Sequence, residues 1–146
     1  MKAKLPQVTV CNLQRKVRID VVNLQKFARK AVKLCLRVPG KGTGELQNLP
    51  KISILIVSNR KIAFLHQKFM NEPGSTDVIT FQHGEIFISG GMAKRNARRF
   101  GNSLVRELRL YIVHGLLHLQ GLDDREPRNA RKMETVQRRI LAKAMV

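Results

Sequence analysis

The sequence predicts an α+β fold: a single domain across residues 1–146, with a small mixed four-stranded sheet packed against about five helices. Three observations carry the fold class. Short β-branched runs alternate with longer stretches of helical periodicity, in the order β-α-β-α-β-β-α-α-α. The length of 146 residues suits one domain. The basic residues fall in three segments around a near-neutral middle, as expected of a core sheet surrounded by charged helices.

Each element has a local cause. Val8-Thr9-Val10-Cys11 alternates β-branched and small residues and reads as a strand. Asp20 is a candidate N-cap for a helix over 21–38, where Val21, Leu24, Phe27, Ala31, Val32 and Cys35 recur at helical spacing. The Pro- and Gly-rich stretch 39–44 forms a loop. Residues 52–57 are almost continuously apolar and predict a strand buried on both faces. Ser58 caps a helix over 59–69, and Asn71-Glu72-Pro73-Gly74 turns the chain. Residues 76–81 and 85–89 predict a hairpin around Gln82-His83-Gly84.

Gly90-Gly91 is expected to break the chain before a basic helix over 92–100. Gly101 stops that helix and Ser103 caps the next, over 104–119, which Gly121 ends. A last basic helix covers 126–144, with Pro127 at a permitted first-turn position.

The composition limits the function classes. No run of apolar residues is long enough for a membrane span, and the stretch from Met1 to Pro6 lacks the apolar region of a secretory signal. Cys11 and Cys35 belong to no CxxC pair and read as small buried hydrophobes in a reducing cytosol. A net charge of +18 points to a polyanionic partner, nucleic acid before an anionic membrane surface. Acids are too scarce for helical i,i+4 pairing to account for Lys94, Arg95, Arg98 and Arg99, or for the row that includes Arg128 and Arg131. With one tyrosine and no tryptophan, recognition is expected through backbone and shape more than stacking.

The chemistry concentrates in His114-Gly115-Leu116-Leu117-His118-Leu119-Gln120-Gly121-Leu122-Asp123-Asp124. His114 and His118, four apart on an apolar helix, stack their imidazoles on one face, where both reach one metal ion. Gly121 turns the chain, so that Asp123 or Asp124 folds back as a third ligand. Two nitrogens and a carboxylate leave an open coordination position, the pattern of a catalytic metal. Gly115 occupies the place where a zinc protease of the H-E-x-x-H type carries its glutamate base, which argues against peptide hydrolysis. Glu107, two turns before His114, is a candidate partner for an imidazole or one half of an ion pair with Arg106 or with a residue of another helix. His66 and His83 are expected to face solvent, and Asp77 divides between a turn and the site.

This stretch resembles the signature of the YbeY family, H-G-x-L-H-L-x-G-x-D-H. Ser75-Thr76-Asp77-Val78-Ile79-Thr80-Phe81 is similar to that family's P-T-D-V-L-S-F, and Gly84 to Ser89 to its G-D-I-x-I-s strand. Glu107-Leu108-Arg109 ahead of Val113-His114 fits as well. The resemblance covers about residues 50 to 135 by motif and the N-terminal part by order of elements. It implies a metal-dependent, single-strand-specific endoribonuclease, acting in maturation of the 3′ end of 16S rRNA and in ribosome quality control. It implies one Zn²⁺ per chain, or another divalent metal, on His114, His118 and Asp124. Asp123 and Glu107 become the candidate catalytic groups, and Lys94, Arg95, Arg98, Arg99, Arg106, Arg128 and Arg131 the RNA contacts. Ribosomal RNA and the small ribosomal subunit become the partners of a cytoplasmic, monomeric protein that has no membrane association.

Three positions depart from the family pattern. Asp124 stands where the third metal histidine is usual, which lowers the site's net charge from +2 to +1. Met70 stands at a usually basic position, with Arg60 and Lys68 as the candidate replacements. Ser75 replaces a proline, with an effect expected only on the loop. The alternative reading, supported by the first two departures, is a ribosome-assembly or RNA-binding factor whose metal site is structural or vestigial.

Overall fold

The computed structural model describes residues 5–39 and 46–145. Most of the 39–44 loop lies outside these. Among the described residues, four strands and five α-helices form the α+β fold, in the expected order: β1 (Gln7–Asn12), α1 (Val21–Cys35), β2 (Lys51–Val57), α2 (Asn59–Met70), β3 (Val78–Phe81), β4 (Glu85–Ser89), α3 (Gly90–Phe100), α4 (Leu104–Leu119) and α5 (Pro127–Ala144). The sheet order is β1-β2-β4-β3. β1, β2 and β4 run parallel, and β3 is antiparallel to β4, so the sheet is mixed.

The two central strands carry Ile52, Ile54, Ile56, Ile86 and Ile88, all fully buried. One face of the sheet meets the larger core, built from Leu24, Phe27 and Val32 of α1, Leu108, Ile112 and Leu116 of α4, and Met133, Ile140 and Leu141 of α5. The other face is covered by α2, through Ile62 and Leu65 against Val57 and Ile79. α4 is therefore a core helix, and everything its polar residues do is fixed by close packing.

Gly115 shows how tight that packing is. A Cβ added there would lie 2.7 Å from Cγ2 of Ile86, so α4 rests directly on β4. A glutamate at this position has no room.

The caps expected at Asp20, Ser58 and Ser103 form: each side chain accepts from the backbone N–H three residues on. Four expectations need correction. Gly90-Gly91 does not break the chain; both residues belong to α3, which Ser89 caps. Their glycines serve close approach, since a Cβ on Gly91 would meet the Asn59 amide at 2.6 Å. α1 ends at Cys35, three residues early, in a turn over Leu36 and Arg37. β3 begins at Val78, because Asp77 turns its carboxylate onto the Val78 N–H. Cys11 is exposed on the outermost strand, while Cys35 is buried as expected and its thiol is pushed up to about 12 by burial.

Candidate metal centre

α4 closes with a Schellman arrangement. Gly121, at φ +103°, places its own N–H on the His118 carbonyl and the Leu122 N–H on the Leu117 carbonyl. This return of the chain sets the whole centre. It brings the Leu122 carbonyl to Nδ1 of His118 at 3.0 Å. It also brings Asp124 back over the end of the helix, 3.5 Å from Nε2 of His114 and 3.7 Å from Nε2 of His118.

The two imidazoles stack edge to face, with ring centroids 4.5 Å apart. Their Nε2 atoms are 3.0 Å from each other. Nδ1 of His114 meets Oε1 of Gln137, from α5, at 2.7 Å. Both Nδ1 atoms thus face an oxygen acceptor and must carry the proton, which leaves both Nε2 atoms as lone pairs. Burial pulls the pKa of His118 down, and the neighbouring His114 adds to the effect; Asp124 opposes it. The imidazole is held in the neutral form a ligand requires.

Two nitrogen lone pairs and a carboxylate therefore converge on one point with no donor between them. His114, His118 and Asp124 are a group that could hold a metal ion. Tetrahedral zinc with bonds of roughly 2.0–2.2 Å has ligand atoms about 3.3–3.6 Å apart, and the three observed separations bracket that value. The donor set fits the group.

The centre opens on a cleft of about 300 Å³. Its walls are His114 and His118 on one side, Val78, Ile79, Thr80 and Gln82 of the edge strand region on another, and His66, Met70 and Glu72 at the end of α2. His66 was expected in solvent, and this is corrected. It is only 17% exposed, with Nδ1 on the Gly74 carbonyl and Nε2 against Glu72. No periodicity in the sequence marks it, because its place in the cleft comes from the turn after α2. His83 is exposed as expected, beside Glu85. Met70 lines the cleft itself, whereas Lys68 stacks on Phe64 and Phe69 outside it and Arg60 borders a separate hollow near Gln14.

Glu107 is placed elsewhere. It is 2% exposed, accepts from Asn102 at 2.8 Å and lies beside Tyr111, whose hydroxyl pKa is raised mainly by burial. It does not line the cleft, and the partner of His114 is Gln137 instead. The imidazole contact and the Arg106 ion pair expected of Glu107 are corrected by this placement. Asp123 is exposed, and its Oδ1 accepts from the Arg125 N–H and the Asn129 amide, pinning the turn that presents Asp124. Lys94, Arg95, Arg98, Arg99, Arg106, Arg128 and Arg131 are all exposed. Arg138 pairs with Glu134, and none of these seven cations has a carboxylate partner among the described residues. Among the described residues, no helix is long and apolar enough to cross a membrane.

Comparison with known proteins gives a consistent result. A family model described as endoribonuclease YbeY matches residues 9–145. The chain is 36% identical over 111 residues to the endoribonuclease YbeY of Thermobifida fusca, a match covering 64% of this chain and 72% of that protein. To the protein of the same name from Saccharopolyspora erythraea it is 35% identical over 116 residues, covering 66% and 63%. To that from Frankia alni it is 32% identical over 114 residues, covering 64% and 63%. The match thus spans a little under two thirds of the length of the last two relatives. A solution structure of a Thermotoga maritima protein superimposes with a TM-score of 0.65 at 25% identity, covering 94% of this chain and 89% of that one.

Proposed function

The chain belongs to the YbeY endoribonuclease family, and from that membership we propose that it is a metal-dependent, single-strand-specific endoribonuclease acting in maturation of the 16S rRNA 3′ end and in ribosome quality control. Its substrate would be ribosomal RNA on or near the small subunit, and its setting the cytoplasm of a bacterial cell, as a monomer. The observation that carries the metal-dependent part is the convergence of two Nε2 lone pairs and the Asp124 carboxylate, with both Nδ1 protons committed to oxygen acceptors.

His114, His118 and Asp124 would hold one divalent ion, with zinc favoured by two imidazoles and one carboxylate. Such an ion supplies a Lewis acid for a phosphate oxygen and a source of activated water. The chain's own residues do the rest. Gln137 and the Leu122 carbonyl fix the ring orientations and keep the proton on Nδ1. Asp123, next to the ligand and in solvent, is the proposed proton acceptor, and it also holds the turn in place. The cations of α3, with Arg106, Arg128 and Arg131, are proposed to neutralise flanking phosphates.

The assembly-factor reading predicts the same RNA binding without cleavage. Chelation separates the two. Loss of RNA cleavage on metal removal, with RNA binding and far-UV circular dichroism preserved, supports the nuclease. Binding without cleavage in the fully metal-loaded protein overturns it.

A further inference from the structure

The two edges of the sheet are finished differently. On β1, Val8 and Val10 turn their outer backbone groups toward α1, and Gln25 takes both: its Oε1 accepts from the Val10 N–H at 2.7 Å and its amide donates to the Val8 carbonyl at 2.6 Å. A single planar amide, carrying one acceptor beside one donor, seals that edge.

β3 is the other edge. The Ser89 backbone N–H donates to the Asp77 carbonyl at 2.9 Å, which makes Asp77 and Ser89 a hydrogen-bonded pair of the antiparallel ladder. Bonded and non-bonded pairs alternate. Ile79 with Phe87 and Phe81 with Glu85 are therefore bonded, and Val78 and Thr80, opposite Ile88 and Ile86, point their backbone groups away from β4. The Asp77 carboxylate occupies the Val78 N–H at 2.8 Å. What remains is the Val78 carbonyl with the N–H and carbonyl of Thr80; of these, the Val78 carbonyl and the Thr80 N–H form the same carbonyl-and-N–H pair two residues apart that Gln25 fills on β1. Val78 and Thr80 both line the cleft that holds His114 and His118.

We propose that the open edge of β3 binds the Watson–Crick edge of an unpaired nucleobase, with the Thr80 N–H donating to the base and the Val78 carbonyl accepting from it. This rests on the nuclease reading above and adds to it the contact that selects single strands. Every base carries a hydrogen-bond donor beside an acceptor on its Watson–Crick edge, the pattern of the Gln25 amide. A backbone pair reads that pattern without preferring one base. A base already paired in a duplex has nothing left to offer. The free groups come from two residues, Val78 and Thr80, which is short for an extended peptide and suited to one planar group, and the chain's net charge of +18 favours the polyanion.

The test uses oligouridine, oligo(3-methyluridine) and oligo(5-methyluridine) with the zinc-loaded protein, by fluorescence anisotropy for binding and gel electrophoresis for cleavage. The 3-methyl group blocks the Watson–Crick edge, and the 5-methyl group leaves it free. The expected result is binding weakened about tenfold by the 3-methyl group, the order of two lost hydrogen bonds, and unchanged by the 5-methyl group. Thr80→Pro removes the N–H at an edge position that tolerates proline and is expected to abolish the discrimination. Thr80→Val keeps the N–H and the discrimination. Should Thr80→Pro fail to fold, the methyl series still decides. Equal binding of uridine and 3-methyluridine oligomers, or displacement of oligouridine by an extended peptide but not by further RNA, overturns the inference. Discrimination in binding with no cleavage of oligouridine leaves the inference standing and counts against the nuclease reading alone.

Discussion

Gln137 places its Oε1 2.7 Å from Nδ1 of His114, so α5 sets the orientation of a ligand that α4 carries. Gln137 is itself nearly buried, at 8% exposure, and cannot be exchanged for water without cost. Gln137→Leu keeps the volume and removes the acceptor. Zinc affinity, measured by chelator competition, is expected to fall about 10- to 100-fold while the circular dichroism spectrum is retained. Unchanged affinity would show that packing alone orients the ring.

The contact between Gly115 and Ile86 gives a second prediction. Gly115→Ala forces a methyl group to within 2.7 Å of a β-branched side chain that is itself fully buried. The expected loss of stability is about 1–3 kcal/mol, read from the urea midpoint. A neutral or stabilising effect would mean that α4 can move off β4.

The two thiols should differ. Cys35 is buried with its pKa pushed up to about 12, and Cys11 is exposed. Titration with a thiol reagent at pH 8 is expected to find one reactive thiol in the native protein and both in denaturant. Two thiols in the native protein would contradict the packing of α1 on the sheet.

The basic surface makes a prediction about salt. If six phosphates are neutralised on single-stranded RNA, log K falls against log salt with a slope of about −4. Each of Arg98→Ala, Arg99→Ala and Arg131→Ala is expected to make the slope shallower by about 0.7 and to weaken binding alike for unrelated sequences. A variant that alters sequence preference with the slope unchanged would place that side chain on a base.

Much of this was legible in the sequence because local signals and tertiary packing agree. Asp20, Ser58 and Ser103 cap the helices they precede, and His114 and His118 share a face because α4 is regular between them. The failures have one physical origin. Gly90 and Gly91 look like breakers from their neighbours alone, yet Gly91 is glycine because Asn59 lies against it. Glu107 is in phase with His114, but Asn102 and Tyr111 claim it. His66 and Gln137 reach the cleft and the ligand from other elements, and nothing near them in sequence announces it. Periodicity reports which face of a helix a residue is on; it does not report which distant residue meets it there.

His114, His118 and Asp124 are proposed to hold one metal ion on which RNA cleavage depends. The most direct measurement is metal content by mass spectrometry of the purified, zinc-supplied protein, beside His118→Ala and Asp124→Ala, with RNA cleavage assayed on the same samples. One equivalent of zinc or a neighbouring divalent metal is expected in the native sequence, lost together with cleavage in both variants while their folds persist. A metal-free protein that cleaves RNA, or variants that keep both metal and cleavage, would contradict it.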